Sequence, residues 1–351
     1  MTRLHVIRTR YPHWGNHSGI HQFLRHLDSD RFQIDERLAT DGDDDFPLRS
    51  PAVRRGVRGL IDLIHGNGMP WYKLSDLDAE MRALGRCWRG RIDLVHYLDG
   101  EHSARYLPGL RPRRAGVVAT FHQPPEMLDD LLSENVLRGI DRVTVVSPVQ
   151  ADWFAQRIGP DRVSVILHGI DTNFFRPGTK KSDRKVFRCI TVGHYLRDFA
   201  AIREVAERLA DRPIEFHVIT ARDTGLEDLP RVRRHRDVDD DRLLALYQQA
   251  DALLLPVHRS TANNALLEGI ACGLPVISTR LPSIAAYVPG GEAILIDKND
   301  PDALAEAVLH LQADRETARE MGRLARLRAE ELSWPNLAPR YAEVYSEVAG
   351  S

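Results

Sequence analysis

The fold of this chain is decided by the stretch Arg259-Ser-Thr-Ala-Asn-Asn-Ala-Leu-Leu-Glu-Gly-Ile-Ala-Cys-Gly-Leu-Pro-Val-Ile-Ser278. The stretch follows an apolar run, Ala252–Pro256, that is typical of a buried strand, and it ends in a second strand, Val276–Ser278. A helix lies between them, with cap candidates Ser260, Thr261 and Asn263 and stop signals Gly273 and Pro275. The pattern predicts a strand–helix–strand unit of a parallel sheet.

The same helix has the features of an anion site. A helix N-terminus at the carboxyl end of a parallel strand presents free N–H groups and the positive end of the helix dipole. Glu268 interrupts the apolar helix about one and a half turns in, where a carboxylate can accept two hydrogen bonds from a ribose diol. This combination suits a nucleotide sugar. A solvated helix glutamate in an ordinary α/β unit is the alternative.

Length and composition limit the class of protein. The chain has 351 residues, enough for two domains, and its 43% hydrophobic and 28% charged residues are those of a globular protein. A formal net charge of −2 argues against a nucleic-acid binder. The three cysteines are scattered, which is typical of a reducing compartment, and we find neither a signal segment nor a membrane span. We expect a soluble, cytoplasmic protein.

Strand-like and helix-like segments alternate along the chain. The predicted strands are Leu4–Arg8, Ile92–Tyr97, Val117–Phe121, Val143–Ser147 and Val163–Leu167, then Phe187–Val192, Glu215–Thr220, Ala252–Pro256, Val276–Ser278 and Ala293–Ile296. The clearest predicted helices are Phe199–Ala210, Asp239–Ala250, Asn263–Cys272 and Pro301–Gln312. Such alternation predicts an α/β protein with two doubly wound, Rossmann-like domains. Since ligands bind at the carboxyl ends of parallel strands, we expect the site in a cleft between the domains.

Three polar segments break the pattern. Residues Asp41–Leu60 are the least regular part, although Arg54–Ile64 has a faint basic and amphipathic character that would suit weak contact with a membrane surface. Arg231–Arg236 is predicted to be a loop, close to where a nucleotide base would lie. The acidic cluster Asp237–Asp241 is predicted to form the first turn of the next helix.

Four segments, in order, resemble the retaining GT-B glycosyltransferases of glycosyltransferase family 4. They are the interdomain segment Asp161–Pro177, with His168 at the usual Asn position, the loop segment Ile190–Arg197, the donor segment Pro256–Ser278 and the C-terminal helix Trp334–Val348. The resemblance implies an N-terminal acceptor-binding domain over 1–175, a nucleotide-sugar domain over 176–333, and a helix over 334–351 that crosses back to the first domain.

The resemblance also implies donor-site residues. Glu268 matches the family's second motif glutamate, which binds the ribose, whereas Ser260 stands where the first glutamate contacts the transferred sugar. The turn between them would hold the diphosphate, and Asn263 or Asn264 would reach the sugar. The implied donor-binding set is Gly19, Gly193, His194, Val238, Ser260, Thr261, Ala262, Asn263, Asn264 and Glu268.

The implied catalytic set is His122, Arg197 and Glu268. Arg197 matches the family's phosphate-binding lysine and His194 its arginine, while His122 in Thr120–Glu126 matches a histidine that faces the transferred sugar. A capping histidine is the alternative for His122. The acceptor side is assigned to Asn16, His17, Ser18 and Glu126. The spacing of His13, His17 and His21 would suit zinc, but Gly15 and Gly19 interrupt any helix that would align them, so we predict no metal site.

The predicted function is metal-independent transfer of a sugar, with retention, from a nucleoside diphosphate sugar to an acceptor hydroxyl. No cofactor is expected beyond the donor, for which UDP is preferred and GDP comes next. No nucleic acid is expected as a partner. The alternatives are an inactive nucleotide-sugar-binding partner subunit, which Ser260 and His194 would suit, and a nucleotide-sugar 2-epimerase, for which we find no matching carboxylate set.

Overall fold

The computed structural model describes residues 1–10, 16–40, 42–43, 46–65, 71–179 and 185–350, without the side chains of 62–65. The chain forms two compact units. The first contains Met1–Trp14, Ile20–Leu167 and Leu337–Ser351, and the second contains Gly15–Gly19 and His168–Asn336. The short described segment 16–19 therefore belongs to the second unit, although residues 1–10 and 20–167 belong to the first.

The first unit is built on a parallel sheet of six strands. They are β1 (Thr2–Arg10), β2 (Phe32–Thr40), β3 (Leu94–Tyr97), β4 (Gly116–Phe121), β5 (Arg142–Val145) and β6 (Val163–Val165), in the order β2-β1-β3-β4-β5-β6. Its helices include α1 (Pro51–His65), α2 (Leu74–Trp88), α3 (Gly100–Ser103), α4 (Leu107–Leu110), α5 (Pro125–Leu131), α6 (Glu134–Arg138) and α7 (Pro148–Ile158). A 3-10 helix spans Ile20–His26.

Burial on both faces explains the strands of this sheet. Every residue of β4 is buried, as a parallel strand covered by helices on both sides requires. Phe121 of β4 packs on Phe154 of α7 with ring centroids 4.7 Å apart. At the start of the helix α7, the Gln150 side-chain oxygen accepts the Ser147 N–H at 3.0 Å, which satisfies one of the free donors of the helix N-terminus. Alternating strands and capped helices thus bury one continuous apolar core.

The second unit is built on another parallel sheet of six strands. They are β7 (Phe187–Val192), β8 (Ile214–Ile219), β9 (Val232–His235), β10 (Ala252–Leu255), β11 (Val276–Thr279) and β12 (Ala293–Ile296), in the order β12-β11-β10-β7-β8-β9. Its helices are α8 (Phe199–Arg208), α9 (Asp240–Gln249), α10 (Asn264–Ala271), α11 (Pro282–Tyr287), α12 (Pro301–Ala313) and α13 (Arg315–Glu331). The predicted fold class, α/β with two doubly wound parallel sheets, is confirmed.

The last helix, α14 (Trp334–Ala349), starts in the second unit and continues in the first. In the first unit, Tyr341 stacks on Phe23 with centroids 4.1 Å apart, and the Tyr345 hydroxyl lies 2.6 Å from Nδ1 of His96. These buried aromatic contacts attach the C-terminus to the first core. No helix in the described ranges is long and apolar enough to cross a bilayer.

Two of the polar segments differ from the sequence prediction. Arg231–Arg236, predicted as a loop, contains the edge strand β9, which pairs with β8 through Val232–His235. The irregular segment Asp41–Leu60 contains most of α1. In β9, arginines hide the period of two, because an edge strand buries too few side chains to show an apolar pattern. The helix α1 has an amphipathic pattern, which the sequence prediction described only as faint.

Candidate functional site

The second sheet has its topological switch point between β7 and β10. From β7 the chain continues to β8 and β9 on one side, and from β10 it continues to β11 and β12 on the other. The crevice at the carboxyl ends of such strands is where open α/β sheets bind ligands. The loops that follow these two strands contain Gly193–Arg197 and Ser260–Asn263, which are the predicted donor segments.

Backbone bonds join the two loops. The Asp198 N–H donates to the Pro256 carbonyl at 3.0 Å, and the His258 N–H donates to the Leu196 carbonyl at 2.9 Å. Gly193 has φ of 83°, and Leu196 has φ of 58°, a left-handed conformation that costs a side-chain-bearing residue energy. The bond to the other loop therefore stabilises the strained backbone conformation of Leu196. Strained residues of this kind are typical of functional loops.

Arg197 is fixed by three acceptors. Its Nε donates to the Val192 carbonyl at 3.1 Å, one terminal nitrogen donates to the Tyr195 carbonyl at 3.0 Å, and the other donates to Oδ1 of Asn263 at 3.1 Å. Burial lowers the pKa of Arg197 to about 10, so the guanidinium keeps its charge at neutral pH. A charged guanidinium at this crevice is suited to a phosphate.

The helix α10 begins beside this cation. Asn263, rather than Ser260 or Thr261, is the cap, since its Oδ1 also accepts the Leu266 N–H at 3.3 Å. The same oxygen thus connects the helix start to Arg197. Ser260 is 9% exposed, and its buried hydroxyl oxygen has no hydrogen-bond partner within the described part of the chain. The turn therefore combines a helix N-terminus, a cation and a spare hydroxyl.

Glu268 is buried, and each of its oxygens accepts a hydroxyl. Oε1 accepts from Ser18 at 2.7 Å, and Oε2 accepts from Tyr247 of α9 at 2.8 Å. Burial raises the pKa of Glu268 above its usual range, while these two hydroxyls and Arg197 oppose the shift. The carboxylate is therefore already arranged to accept hydroxyl donors, as a ribose-binding residue must.

The segment 16–19 lies with these residues. The Asn16 N–H donates to Oδ2 of Asp240 at 2.8 Å. The His17 ring stacks on Phe174 with centroids 3.7 Å apart, and its Nδ1 lies 2.9 Å from Oδ2 of Asp171. We assigned Asn16, His17 and Ser18 to the acceptor side, and the structure places all three on residues of the donor-type unit. Their acceptor role stays a prediction.

The remaining donor candidates are placed as follows. Gly19 is buried with φ of 102°, a conformation that favours glycine at the end of the segment. His194 lies in the loop after Gly193, and Ala262 and Asn264 flank the cap residue of α10. Val238 lies in the turn between β9 and α9, two strands away from β7 in the sheet. Their predicted roles remain untested.

In the first unit the switch point lies between β1 and β3, and His122 follows the next strand, β4. Nε2 of His122 donates to the Leu98 carbonyl at 2.7 Å, and its backbone N–H donates to Oε1 of Glu101 at 3.0 Å. The second oxygen of Glu101 is buried, with no hydrogen-bond partner in the described ranges. Burial raises the pKa of Glu101 to about 7. These bonds fix the imidazole of His122 at the strand end.

The remaining candidates are the acceptor-side residue Glu126 and the histidines His13, His17 and His21, which were considered as zinc ligands. Glu126 lies in the first turn of α5 and is exposed. Of the three histidines considered for zinc, His13 lies outside the described residues. Among the residues that are described, no group of three His, Cys, Asp or Glu side chains could hold a metal ion.

Several contacts were missed by sequence reasoning. Tyr247, which donates a hydrogen bond to Glu268, lies in a different helix. Nothing in the local sequence around either residue indicates that the two are in contact. Asp171 and Phe174, which contact His17, lie much further from it in sequence, Asp171 by 154 positions. Sequence reasoning could have identified Glu101 as a site residue, because it lies in a polar cluster directly after the predicted strand Ile92–Tyr97. Ligand sites of α/β sheets form at the ends of strands.

Two family models match the chain. The model described as Glycosyltransferase Family 4 matches residues 17–174, and the model described as Glycosyl transferases group 1 matches residues 191–314. The two sheets and their flanking helices are those of the GT-B fold. A sucrose-phosphate synthase from Thermosynechococcus elongatus has a TM-score of 0.71 and 17% identity, with 100% of each chain covered. The Anabaena protein HepE in complex with UDP has a TM-score of 0.67 and 14% identity, covering 99% of this chain and 100% of that one.

The class of protein follows from these matches: the chain is a glycosyltransferase with a family 4 domain followed by a group 1 domain. More particularly, it is similar to enzymes named D-inositol 3-phosphate glycosyltransferase. The one from Corynebacterium diphtheriae is 26% identical, over 85% of this chain and 82% of its own. The one from Acidothermus cellulolyticus is 25% identical, over 99% of this chain and 90% of its own.

Proposed function

We propose that this glycosyltransferase takes its sugar from a nucleoside diphosphate sugar that binds at the switch point of the second unit. The observation that carries the proposal is Glu268, a buried carboxylate whose two oxygens accept hydroxyl donors at 2.7 and 2.8 Å. A ribose diol supplies two hydroxyl donors of this kind. The start of α10 and Arg197 lie together at the carboxyl end of the sheet, where Arg197 bonds to Asn263. The diphosphate, which is attached to the ribose, would bind there.

The proposed chemistry needs stabilisation of negative charge. As the sugar–phosphate bond breaks, charge grows on the leaving diphosphate while the sugar gains oxocarbenium character. Arg197, bonded to Asn263 at 3.1 Å, and the N-terminus of α10 are fixed before the reaction. Preorganised donors of this type act without reorganisation in the transition state, and this makes them effective.

We also propose that the transferred sugar retains its anomeric configuration. Retention rests on the family resemblance, in which the acceptor attacks from the face that the diphosphate leaves and the leaving phosphate takes the proton of the acceptor hydroxyl. His122 is the proposed group near the transferred sugar, held through its bonds to Leu98 and Glu101. Arg197 and α10 would supply the positive charge for a reaction independent of metal and of any further cofactor. Proton NMR of the anomeric centre tests retention, and assays with and without EDTA test metal independence.

UDP is the proposed nucleotide, with GDP next. HepE, which shares the fold, was solved in complex with UDP. The names of the sequence relatives make D-inositol 3-phosphate the first acceptor to test. A panel of unphosphorylated polyols beside it would show whether the acceptor phosphate matters. Location in the cytoplasm is part of the same proposal.

Titration calorimetry with UDP, GDP and ADP, followed by transfer assays, tests the donor site. Glu268→Gln should weaken binding of the preferred nucleotide by about tenfold to a hundredfold, because a charge-acceptor hydrogen bond contributes about 1.5–3 kcal/mol. The matched control is Glu292→Gln. Glu292 is also a buried glutamate of the second unit, but it precedes β12 at the amino end of the sheet. Equal effects of the two substitutions would contradict the proposal.

Neither alternative is favoured by the relatives, which are named as glycosyltransferases. An inactive partner subunit would bind the nucleotide without turnover on any acceptor. A 2-epimerase would convert the donor without an acceptor. The transfer assay separates both outcomes from the proposed reaction.

A further inference from the structure

The helix α1 (Pro51–His65) differs from the other long helices because its apolar side is exposed. None of its residues 51–61 is buried. Val53 is 41% exposed and Leu60 is 57% exposed, and Leu48 just before the helix is 51% exposed. Val53, Val57, Leu60 and Ile61 follow the i, i+4, i+7, i+8 spacing, so they form one side of the helix. This apolar side is only partly covered by the described parts of the first unit, in which Val57 and Ile61 are half-buried.

The basic residues lie on the other side of α1. They are Arg54, Arg55 and Arg58, with Arg49 just before the helix, and the one acidic residue in the sequence of α1 is Asp62. Arg54 donates to the Leu48 carbonyl at 2.9 Å, and Arg58 pairs with Asp43. Arg49 and Arg55 are exposed. The helix therefore has an apolar side bordered by positive charge.

Another arginine-rich helix, α13, shows what a covered helix of this chain looks like. Its small and apolar residues Ala318, Met321, Ala325 and Ala329 are buried in the second unit. Three of its arginines pair with glutamates of the same helix, as Arg323 does with Glu320 at 2.7 Å. In α1, Val53 and Leu60 are exposed and Val57 and Ile61 are half-buried. Its three arginines are accompanied in the sequence of the helix by a single acidic residue, Asp62. The difference indicates that α1 is adapted to an external negative surface.

We propose that α1 docks on the surface of an anionic lipid bilayer, with Val53, Val57, Leu60 and Ile61 in the headgroup region and the arginines against lipid phosphates. An amphipathic helix with a basic border binds in this way because apolar burial and attraction to anionic lipids add together. A second copy of the chain fits less well, since two α1 helices would bring their arginines together. The inference is independent of the donor site proposed above.

Co-sedimentation of the full-length chain with vesicles tests the proposal. One set contains equal parts phosphatidylcholine and phosphatidylglycerol, and the other contains phosphatidylcholine alone. The wild type should sediment with the anionic set, and binding should fall in about 1 M salt, where the Debye length is about 3 Å. The triple variant R54Q/R55Q/R58Q should partition about a hundredfold less, since each arginine near an anionic surface contributes about fivefold. L60D should also lose binding.

Two matched controls separate α1 from general surface properties. The triple variant R82Q/R280Q/R323Q removes the same charge from arginines that are 59%, 60% and 59% exposed elsewhere. L327D changes a leucine of α13 that is 46% exposed. Both controls should bind as the wild type does.

Several results would overturn the proposal. They are failure of the wild type to sediment with anionic vesicles, equal losses in both triple variants, and binding that R54Q/R55Q/R58Q leaves intact. A dimer in analytical ultracentrifugation that L60D dissociates, without vesicle binding, would assign the helix to self-association instead. Unchanged melting temperatures in all variants would exclude misfolding as the cause.

Discussion

The hydroxyl of Ser18 donates to Oε1 of Glu268 at 2.7 Å. The two residues are 250 positions apart, and the contact puts a neutral donor on the carboxylate that we propose for ribose binding. Tyr247 occupies the other oxygen at 2.8 Å. A ribose must therefore displace one hydroxyl or share an oxygen with it.

Ser18→Ala should bind UDP about fivefold more tightly than the wild type. The substitution removes a hydrogen bond of about 1 kcal/mol from the free protein, and the bound ribose would have replaced that bond anyway. Titration calorimetry measures the change, and Ser18→Thr, which keeps a hydroxyl, should bind as the wild type does. Weaker binding in Ser18→Ala would mean that Ser18 contacts the ligand instead of competing with it.

Arg197→Ala should lower kcat by about 10²- to 10³-fold and raise KM much less. The guanidinium is held in place by three acceptors, so its charge acts mainly on the diphosphate as it leaves. Arg197→Lys should recover part of the loss, since it restores the charge without the planar fork. Steady-state kinetics with the preferred donor provide the measurement. A rise in KM at constant kcat would instead assign Arg197 to substrate binding alone.

Asn263→Ala should lower both stability and turnover, because Asn263 Oδ1 accepts from the Leu266 N–H and from Arg197. The matched control is Asp239→Ala, which removes the cap of α9 on the Arg242 N–H at 2.8 Å. Each variant should lose about 1 kcal/mol of stability, as lost caps do. Only Asn263→Ala should also lose turnover. Equal kinetics in the two variants would rule out a role for the Asn263–Arg197 bond.

Glu101 should lower the stability of the first unit as pH rises from about 4.5 to about 7, whereas His96 and His21, whose pKa burial lowers to about 3 and about 4, act in the opposite direction up to about pH 6.5. Burial raises the pKa of Glu101 from 4.5 to about 7, so over this window the folded state holds a proton that the unfolded state has released. The loss amounts to about 3 kcal/mol at most, at about 1.4 kcal/mol per pH unit. Asp76, whose pKa burial also raises to about 7, adds in the same direction.

The variant Glu101→Gln should lose the Glu101 contribution and so gain stability at pH 8 relative to pH 5, compared with the wild type, because the amide does not titrate. Thermal unfolding recorded at pH 5 and at pH 8 measures the slope. The matched control is Glu126→Gln, an exposed carboxylate of the same unit. A slope in Glu101→Gln as steep as in the wild type would show that Glu101 ionises normally.

Gly322→Ala should destabilise the second unit by about 1–3 kcal/mol. A Cβ at Gly322 of α13 would overlap the Gly273 carbonyl at the end of α10, and backbone must move to admit it. Gly59→Ala in α1 is the control, with nothing within 4 Å of the added carbon. It should stabilise the helix by up to about 1 kcal/mol. The melting temperatures of the two variants, compared with that of the wild type, test the prediction. An unchanged melting temperature in Gly322→Ala would contradict it.

Most of the fold could be predicted from the sequence. Runs such as Ala252–Leu255 are buried on both faces of a parallel sheet, so they consist of apolar residues that local inspection finds. The cap and stop signals around α10 are also local, since a cap bonds to a backbone group three residues away. The exceptions include the edge strands β2, which was not predicted, and β9, which was predicted as a loop, because solvent exposure weakens the apolar pattern of an edge strand. The helix α1 was predicted only as a faint amphipathic segment.

The sequence by itself thus determined the two α/β units, the helix α10 with Glu268 in it, and the position of Arg197 in the loop after β7, because backbone periodicity and capping depend on near neighbours. Only the tertiary structure decided which groups meet there. Ser18 and Tyr247 on Glu268, Asn263 on Arg197 and Glu101 at His122 come together from separate segments of the chain. Contacts of this kind depend on strand order and packing, which bring distant residues within hydrogen-bond distance without leaving a local pattern in the sequence.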